Sequence, residues 1–386
     1  MKKHHHIYFA PGMFGFARLA SYDYFAHVRN ALIARFKAAG IIIHTHTMDV
    51  LPTASVRRRA AKLAALVERT SDGKGPIHLV GHSSGGLDAR LLASPSCDLG
   101  LPAKMLRWLP RLKSVTTMNT PHYGTPLASF FVTASGQRAL FFLSAFTLIS
   151  LTLGSRPLGV AGKLLELFER SDELLGVKVA PLERWLTRAL GMVKDARRPD
   201  VLNYINAIKE DQGSMLQISP EAMDLTVAGF GDRPGVLYQS TVSMAPPPSP
   251  GKWVGTLGHP LRAASLGLFT ALQAITARAN TRYPCAAVKR DKRLELVLTR
   301  ALGHSPKSSD NDGIVPIRSQ LWGKLAWVGY GDHLDVLGHY RDDRSGMEKR
   351  GGLRHHDWLS SGSAFDGKAF QGLMDRVGAG MLAGAS

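Results

Sequence analysis

The chain of 386 residues carries 48 lysines and arginines against 30 aspartates and glutamates, a formal charge of +18. Hydrophobic residues make up 45% and charged residues 20%, which excludes a disordered chain and provides for a sizeable core. Two cysteines, Cys97 and Cys285, exclude a disulfide framework and favour a reducing compartment.

His4, His5 and His6 follow Met1-Lys2-Lys3 and read as a solvated terminal run. Ile7–Ala10 is apolar for only four residues before Pro11, whereas a secretory core needs roughly 7–15. The expectation is a first core strand, no leader and a cytoplasmic protein. Pro11-Gly12-Met13-Phe14-Gly15-Phe16 is a Gly-rich loop without the Lys-Ser/Thr ending of a phosphate loop. Asp23–Ala39 has helical spacing through Phe25, Val28, Leu32 and Phe36, stopped by Gly40. Ile41–His46 is β-branched and predicts a strand. Thr53–Arg69 predicts a helix, with Arg57-Arg58-Arg59 on a solvated face. Ile77–Val80 predicts a strand, Ser84–Ala93 a helix and Val115–Met118 another strand. Repeated β-α-β units predict an α/β fold, with a mostly parallel central sheet and helices on both faces.

The pattern changes after residue 124. Ala139–Leu153 is apolar around most of a helix, yet falls short of the roughly 20 residues a membrane span needs. It fits a hydrophobic cap over a site, a buried core helix or an interfacial anchor. Leu164–Phe168 and Leu182–Val193 are amphipathic and read as further cap helices. Val236–Val242 predicts a strand, Ala245–Gly251 a stiff Pro-rich loop and Ala326–Val328 a short last strand. Residues 252–300 are helical in pattern without a place in the fold. The expected organisation is therefore 1–124 as the first half of the core and 125–225 as a helical cap. Residues 226–360 form the second half, with an insertion at about 245–300, and 361–386 a tail.

The chemistry centres on Gly81-His82-Ser83-Ser84-Gly85. A G-x-S-x-G between a strand and a helix is a nucleophile elbow: the sharp turn exposes the serine oxygen, and glycines let strand and helix approach. The backbone N–H of Ser84 then stands at a helix N-terminus, placed for an oxyanion. A second N–H comes from the loop after the first strand, at Met13. A serine needs a base, and the base an orienting acid, in the chain order Ser, Asp, His. Asp312, in Asn311-Asp312-Gly313, and His333, in Gly331-Asp332-His333-Leu334-Asp335, fit that order. His339, His355 and His356 are rival bases; His304 precedes the acid and violates the order.

These segments resemble the bacterial triacylglycerol lipases of the Pseudomonas and Burkholderia type, within the α/β-hydrolase superfamily. Pro11–Phe16 resembles their oxyanion segment, Tyr22-Asp23-Tyr24-Phe25 the start of their first helix, and Gly81–Gly86 their elbow. Asn119–Thr125 is similar to the turn that leads into their lid. Asn311–Val315 and His333–Asp335 resemble their acid and base segments. The matches run in order from residue 11 to 335, while 130–300 matches poorly. Pro11 and Ser84 replace family histidines, and neither cysteine falls at the family disulfide.

The resemblance implies an esterase or lipase with an acyl-enzyme mechanism, a lid, and a structural calcium ion. Asp335 matches one calcium ligand, and Asp291 is the nearby partner. Phe14, His82, Phe142 and Phe146 are the expected substrate contacts. The alternatives are an acyltransferase or thioesterase on the same triad, or a non-catalytic lipid-binding protein. No zinc-finger, RNA-binding or helix-turn-helix pattern is present, so nucleic acid is not the expected partner of the charge. Anionic membrane or lipid-droplet surfaces are.

Overall fold

The computed structural model describes residues 3–13, 18–19, 22–49, 53–133, 213–255, 260–287, 291–340 and 361–385, with a few single positions between these spans. Ala139–Leu153 and both expected cap helices after it lie outside the described residues.

Six parallel strands form the central sheet: β1 (Lys3–Ala10), β2 (Ile41–Thr47), β3 (Ile77–His82), β4 (Leu112–Met118), β5 (Leu237–Met244) and β6 (Lys324–Tyr330). Their order is β2-β1-β3-β4-β5-β6. The direction of winding reverses between β1 and β3, and the carboxyl ends of these two strands open the crevice where such sheets bind ligands. This topology, with helices on both faces and an elbow serine after β3, is an α/β-hydrolase fold.

Alternation along the strands separates two cores. Ile7 and Phe9 of β1 point to the face covered by α1 (Ala26–Ala38) and α8 (Gly367–Gly384). There they meet Val28, Leu32, Phe36, Leu373, Val377 and Met381. Tyr8 and Ala10 point to the opposite face, against α2 (Val56–Thr70) and α3 (Ser84–Ala93). Leu63, Val67, Ala89 and Leu92 close that side with Ile77 and Leu79 of β3. Truncating one of these buried leucines to alanine costs about 2–5 kcal/mol. The tail that carried no sequence signal is thus α8, a helix that covers the sheet, begun by Asp366 accepting the N–H of Ala369 at 2.9 Å.

Two expectations need correction. The histidine run is not a solvated terminus. Strand β1 starts at Lys3, in register with β2 from Lys3↔Ile41 onward, so His5 and His6 are buried. Their rings stack on the next strands: His5 on His78 at 5.3 Å and His6 on His44 at 5.1 Å. Arg57–Arg59 is a solvated face only in part. Arg57 and Arg58 are exposed, the first bonding the Leu99 carbonyl and the second pairing with Asp211, but Arg59 is fully buried.

The unplaced stretch 252–300 holds α6 (Pro260–Thr276) and α7 (Lys292–Leu302). Leu268, Phe269 and Leu272 of α6 join the core on the α1 side, whereas Leu298 and Leu302 of α7 pack on Val242 and Ile317. Between α3 and α6 the described helices include α4 (Pro126–Phe131) and α5 (Pro220–Gly229). Among the described residues, no helix is long and apolar enough to cross a membrane.

Candidate active site

Ser83 sits between β3 and α3 with φ 54° and ψ −131°, a conformation that costs an L-residue on the order of 1–3 kcal/mol. The turn is held by Ser83 N–H to the Met118 carbonyl at 2.9 Å and Gly86 N–H to the Ser83 carbonyl at 3.0 Å. A Cβ on Gly85 would overlap the carbonyl oxygen of Ala10, and one on Gly86 would overlap the Thr120 hydroxyl. Only glycine lets α3 come this close to β1. Ser83 keeps 8% of its surface, while Ser84, the first residue of α3, is fully buried with its own hydroxyl unpartnered. The Ser84 N–H belongs to the first turn of α3, which has no intrahelical acceptor.

Asp312 and His333 come together. His333 Nδ1–H donates to Asp312 Oδ2 at 2.7 Å, and the His333 N–H donates to the Asp312 carbonyl at 3.0 Å. The acid is fully buried and accepts three further bonds: Asn119 Nδ2 on Oδ2 at 2.9 Å, and the N–H groups of Ile314 (2.9 Å) and Val315 (2.8 Å) on Oδ1. Four donors on two oxygens match an acceptor-only carboxylate. The other ring nitrogen of His333, Nε2, is buried without a hydrogen-bond partner. His333 follows strand β6, where the sequence expectation put it. The acid, however, lies in a turn after α7, joined to the end of β5 through Ala245 N–H and the Asn311 carbonyl. Asp310 instead accepts the N–H of Lys307 at 2.7 Å. The rival His339 bonds the Tyr24 carbonyl at 3.2 Å, and His355 and His356 lie outside the described residues.

His82 is fully buried and holds the site together, which corrects its expected role as a substrate contact. Its Nε2 stands 2.8 Å from the His333 carbonyl, which can only accept, so Nε2 carries the proton. Its Nδ1 then accepts from the Tyr24 hydroxyl at 2.7 Å, and the Tyr24 oxygen accepts the Gly12 N–H at 3.3 Å. A chain of bonds thus runs from the Gly12 loop through Tyr24 and His82 to the backbone of His333. Burial first, and the nearby His333 second, hold His82 well below the usual imidazole range. Burial also raises the Tyr24 phenol. Both groups stay neutral, as the chain of bonds requires.

Arg59, one of three consecutive arginines in the sequence, belongs to the site in the fold. Its Nη2 donates to the Pro11 carbonyl at 2.5 Å, and its Nε donates to Asp88 Oδ2 at 2.8 Å, with neither side chain exposed. It therefore ties the loop after β1 to α3. The signal was its place in the apolar stripe Val56, Arg59, Ala60, Leu63, Ala64, Val67. Met13 is buried at the end of β1, beside Gly12, where a Cβ would meet the Cβ of Ser83 at 2.7 Å. Phe14, Phe142 and Phe146 lie outside the described residues.

The calcium expectation meets carboxylates already engaged. Asp335 Oδ2 accepts the Asp332 N–H at 2.8 Å and the Ser363 hydroxyl at 2.6 Å. Asp291 caps α7 through the Arg293 N–H at 2.5 Å. A calcium site needs six to eight oxygens aimed at one point, and this donor set does not fit an ion held by Asp335 and Asp291. Among the described residues no group of three or more His, Cys, Asp or Glu could hold a metal.

No protein-family model matches the chain, and no curated protein matches it in sequence. Among solved structures it is similar to EstA from Clostridium botulinum, at 19% identity over 93% of this chain and 86% of that one, TM-score 0.46. It is similar to lipase 1 from Pelosinus fermentans at 15% identity over 92% and 97%, TM-score 0.49. The third is Staphylococcus hyicus lipase, at 16% identity over 94% and 95%, TM-score 0.41.

Proposed function

We propose that the chain is a carboxylic-ester hydrolase, a lipase or esterase, acting through Ser83, His333 and Asp312. The observation that carries the reading is the strained serine of the β3–α3 elbow together with a buried Asp312–His333 pair whose second imidazole nitrogen has no hydrogen-bond partner. Ser83 Oγ attacks the acyl carbon while His333 Nε2 takes its proton, and Asp312 holds the ring in the required tautomer. The N–H groups of Met13 and Ser84 bind the oxyanion. Collapse expels the alcohol, which receives the proton from His333. Water then repeats the sequence on the acyl-enzyme and releases the acid. An apolar cap built from residues 125–225 would receive the acyl chain, each buried CH₂ contributing about 0.8 kcal/mol, so medium or long acyl chains are the proposed substrates.

The working place we propose is an anionic membrane or lipid-droplet surface inside the cell. A charge of +18 favours such a surface, and both cysteines are free thiols. Flotation with anionic vesicles at low and high salt tests it: binding at low salt that fails at high salt is expected, and no binding at low salt refutes it. Hydrolysis of p-nitrophenyl esters from acetate to palmitate tests the activity. Rising kcat/KM with chain length is expected, and no turnover of any ester would overturn the assignment.

A further inference from the structure

Asn119 is a fully buried residue just past β4, held at φ 48° in the left-handed region. Its side chain is fixed from several sides. Nδ2 donates to the Ser243 hydroxyl at 2.5 Å and to Asp312 Oδ2 at 2.9 Å, and Oδ1 accepts from the Thr241 hydroxyl at 3.4 Å. Its own N–H bonds the Thr241 carbonyl at 3.3 Å. Because a carboxylate only accepts, the amide nitrogen must be the atom that faces Asp312.

The oxygen it touches is the one that receives His333 Nδ1. The other oxygen is already fixed by two backbone N–H groups of its own turn. We propose that Asn119 is a positioning residue: it sets the rotation of the Asp312 carboxylate and shares the oxygen that grips His333, so that the base is held in line with Ser83. The torsion of an aspartate carboxyl is broad by itself. A fourth donor, carried on a different strand end, removes that freedom. The inference rests on the hydrolase reading above.

The left-handed backbone supplies a clean test, because glycine adopts φ 48° without strain. Asn119→Gly therefore keeps the turn and removes the side chain with its bonds to Asp312, Ser243 and Thr241. The expected result is a kcat roughly ten- to hundredfold lower on p-nitrophenyl butyrate, the range a small misplacement of a reacting group produces. KM should stay within about twofold, as for an interaction felt in the transition state. The downfield proton resonance of His333 Nδ1–H should move, since its acceptor has lost a competing donor. Asn119→Asp, isosteric but unable to donate when ionised, should lose more, and it gives the same answer if Asn119→Gly does not fold. A folded variant with wild-type kcat and an unmoved resonance would overturn the proposal. So would a loss of kcat matched by a loss of melting temperature. If Ser83→Ala is inactive while both Asn119 variants turn over normally, only this inference fails. If Ser83→Ala stays active, the hydrolase reading fails first.

Discussion

Replacing Arg59 by methionine is expected to destabilise the protein and slow it by separate routes. Arg59 and Asp88 are both fully buried and 2.7 Å apart, and Asp88 Oδ1 is already without a partner. Arg59→Met leaves a carboxylate stranded in an apolar layer, which costs about 3–5 kcal/mol. Even with the arginine in place, burial pushes the Asp88 carboxyl up to about 6. A carboxyl raised from 3.8 lets the folded chain bind its proton first. Its penalty is therefore full above pH 6 and disappears as the pH falls below about 4. Arg59→Met with Asp88→Leu replaces the pair by packed apolar groups and should return to within about 1 kcal/mol of wild type. Activity should not return with it, because the Pro11 carbonyl has lost its donor and the oxyanion loop its tie to α3. Urea denaturation at pH 7.5 measures the first effect, and kcat/KM on p-nitrophenyl butyrate the second. A single mutant as stable as wild type, or a double mutant with full activity, would refute the reasoning.

Acid should loosen the pairing of β1 with β3 inside the sheet. Burial, with Lys3 and His6 beside it, lowers His5 to about 4; burial, with His5, lowers His78 to about 3. Folded values below the ordinary 6.5 mean that stability present above pH 6.5 is lost as the pH falls towards 4 and 3. At about 1.4 kcal/mol per unit this amounts to several kcal/mol. Urea midpoints at pH 7.5 and 4.5 should differ far less in His5→Asn/His78→Asn, and an equal drop in wild type and variant would count against the histidines. Tyr24→Phe removes the acceptor of the Gly12 N–H and the donor to His82; kcat should fall about tenfold at a cost of about 1–3 kcal/mol in stability, and an unchanged kcat would detach the bond chain from the chemistry. Chelation by EDTA should leave activity and melting temperature unchanged, since Asp335 and Asp291 are engaged elsewhere; a loss restored by calcium would show that those carboxylates rearrange around an ion.

The parts of the candidate site legible in the sequence are those fixed by local geometry. A turn that only glycines permit announces Ser83, and Asp312 and His333 sit in short polar segments among apolar runs. Contacts between distant segments were not legible. Asn119 meets Asp312 across 193 positions, and Arg59 meets Pro11 across 48. Arg59 did leave a trace, a charge inside an apolar stripe, but its neighbours Arg57 and Arg58 disguised it as part of a basic face. The histidine run failed for the opposite reason. Histidine is usually solvated, and burial of His5 and His6 depends on partners in β2 and β3 that a single strand does not reveal. The helical pattern of 252–300 was readable, while its place was not, since α6 joins a core built from both halves of the chain and α7 packs on β5 and β6.

The central claim, that Ser83 is the nucleophile, is tested most directly by labelling the protein with a fluorophosphonate and locating the adduct by peptide mass spectrometry. The account predicts one adduct per chain on Ser83. It also predicts loss of both labelling and ester hydrolysis in Ser83→Ala, whose circular dichroism and melting temperature stay close to wild type. An adduct on another residue, or a folded Ser83→Ala that still hydrolyses p-nitrophenyl esters, would contradict it.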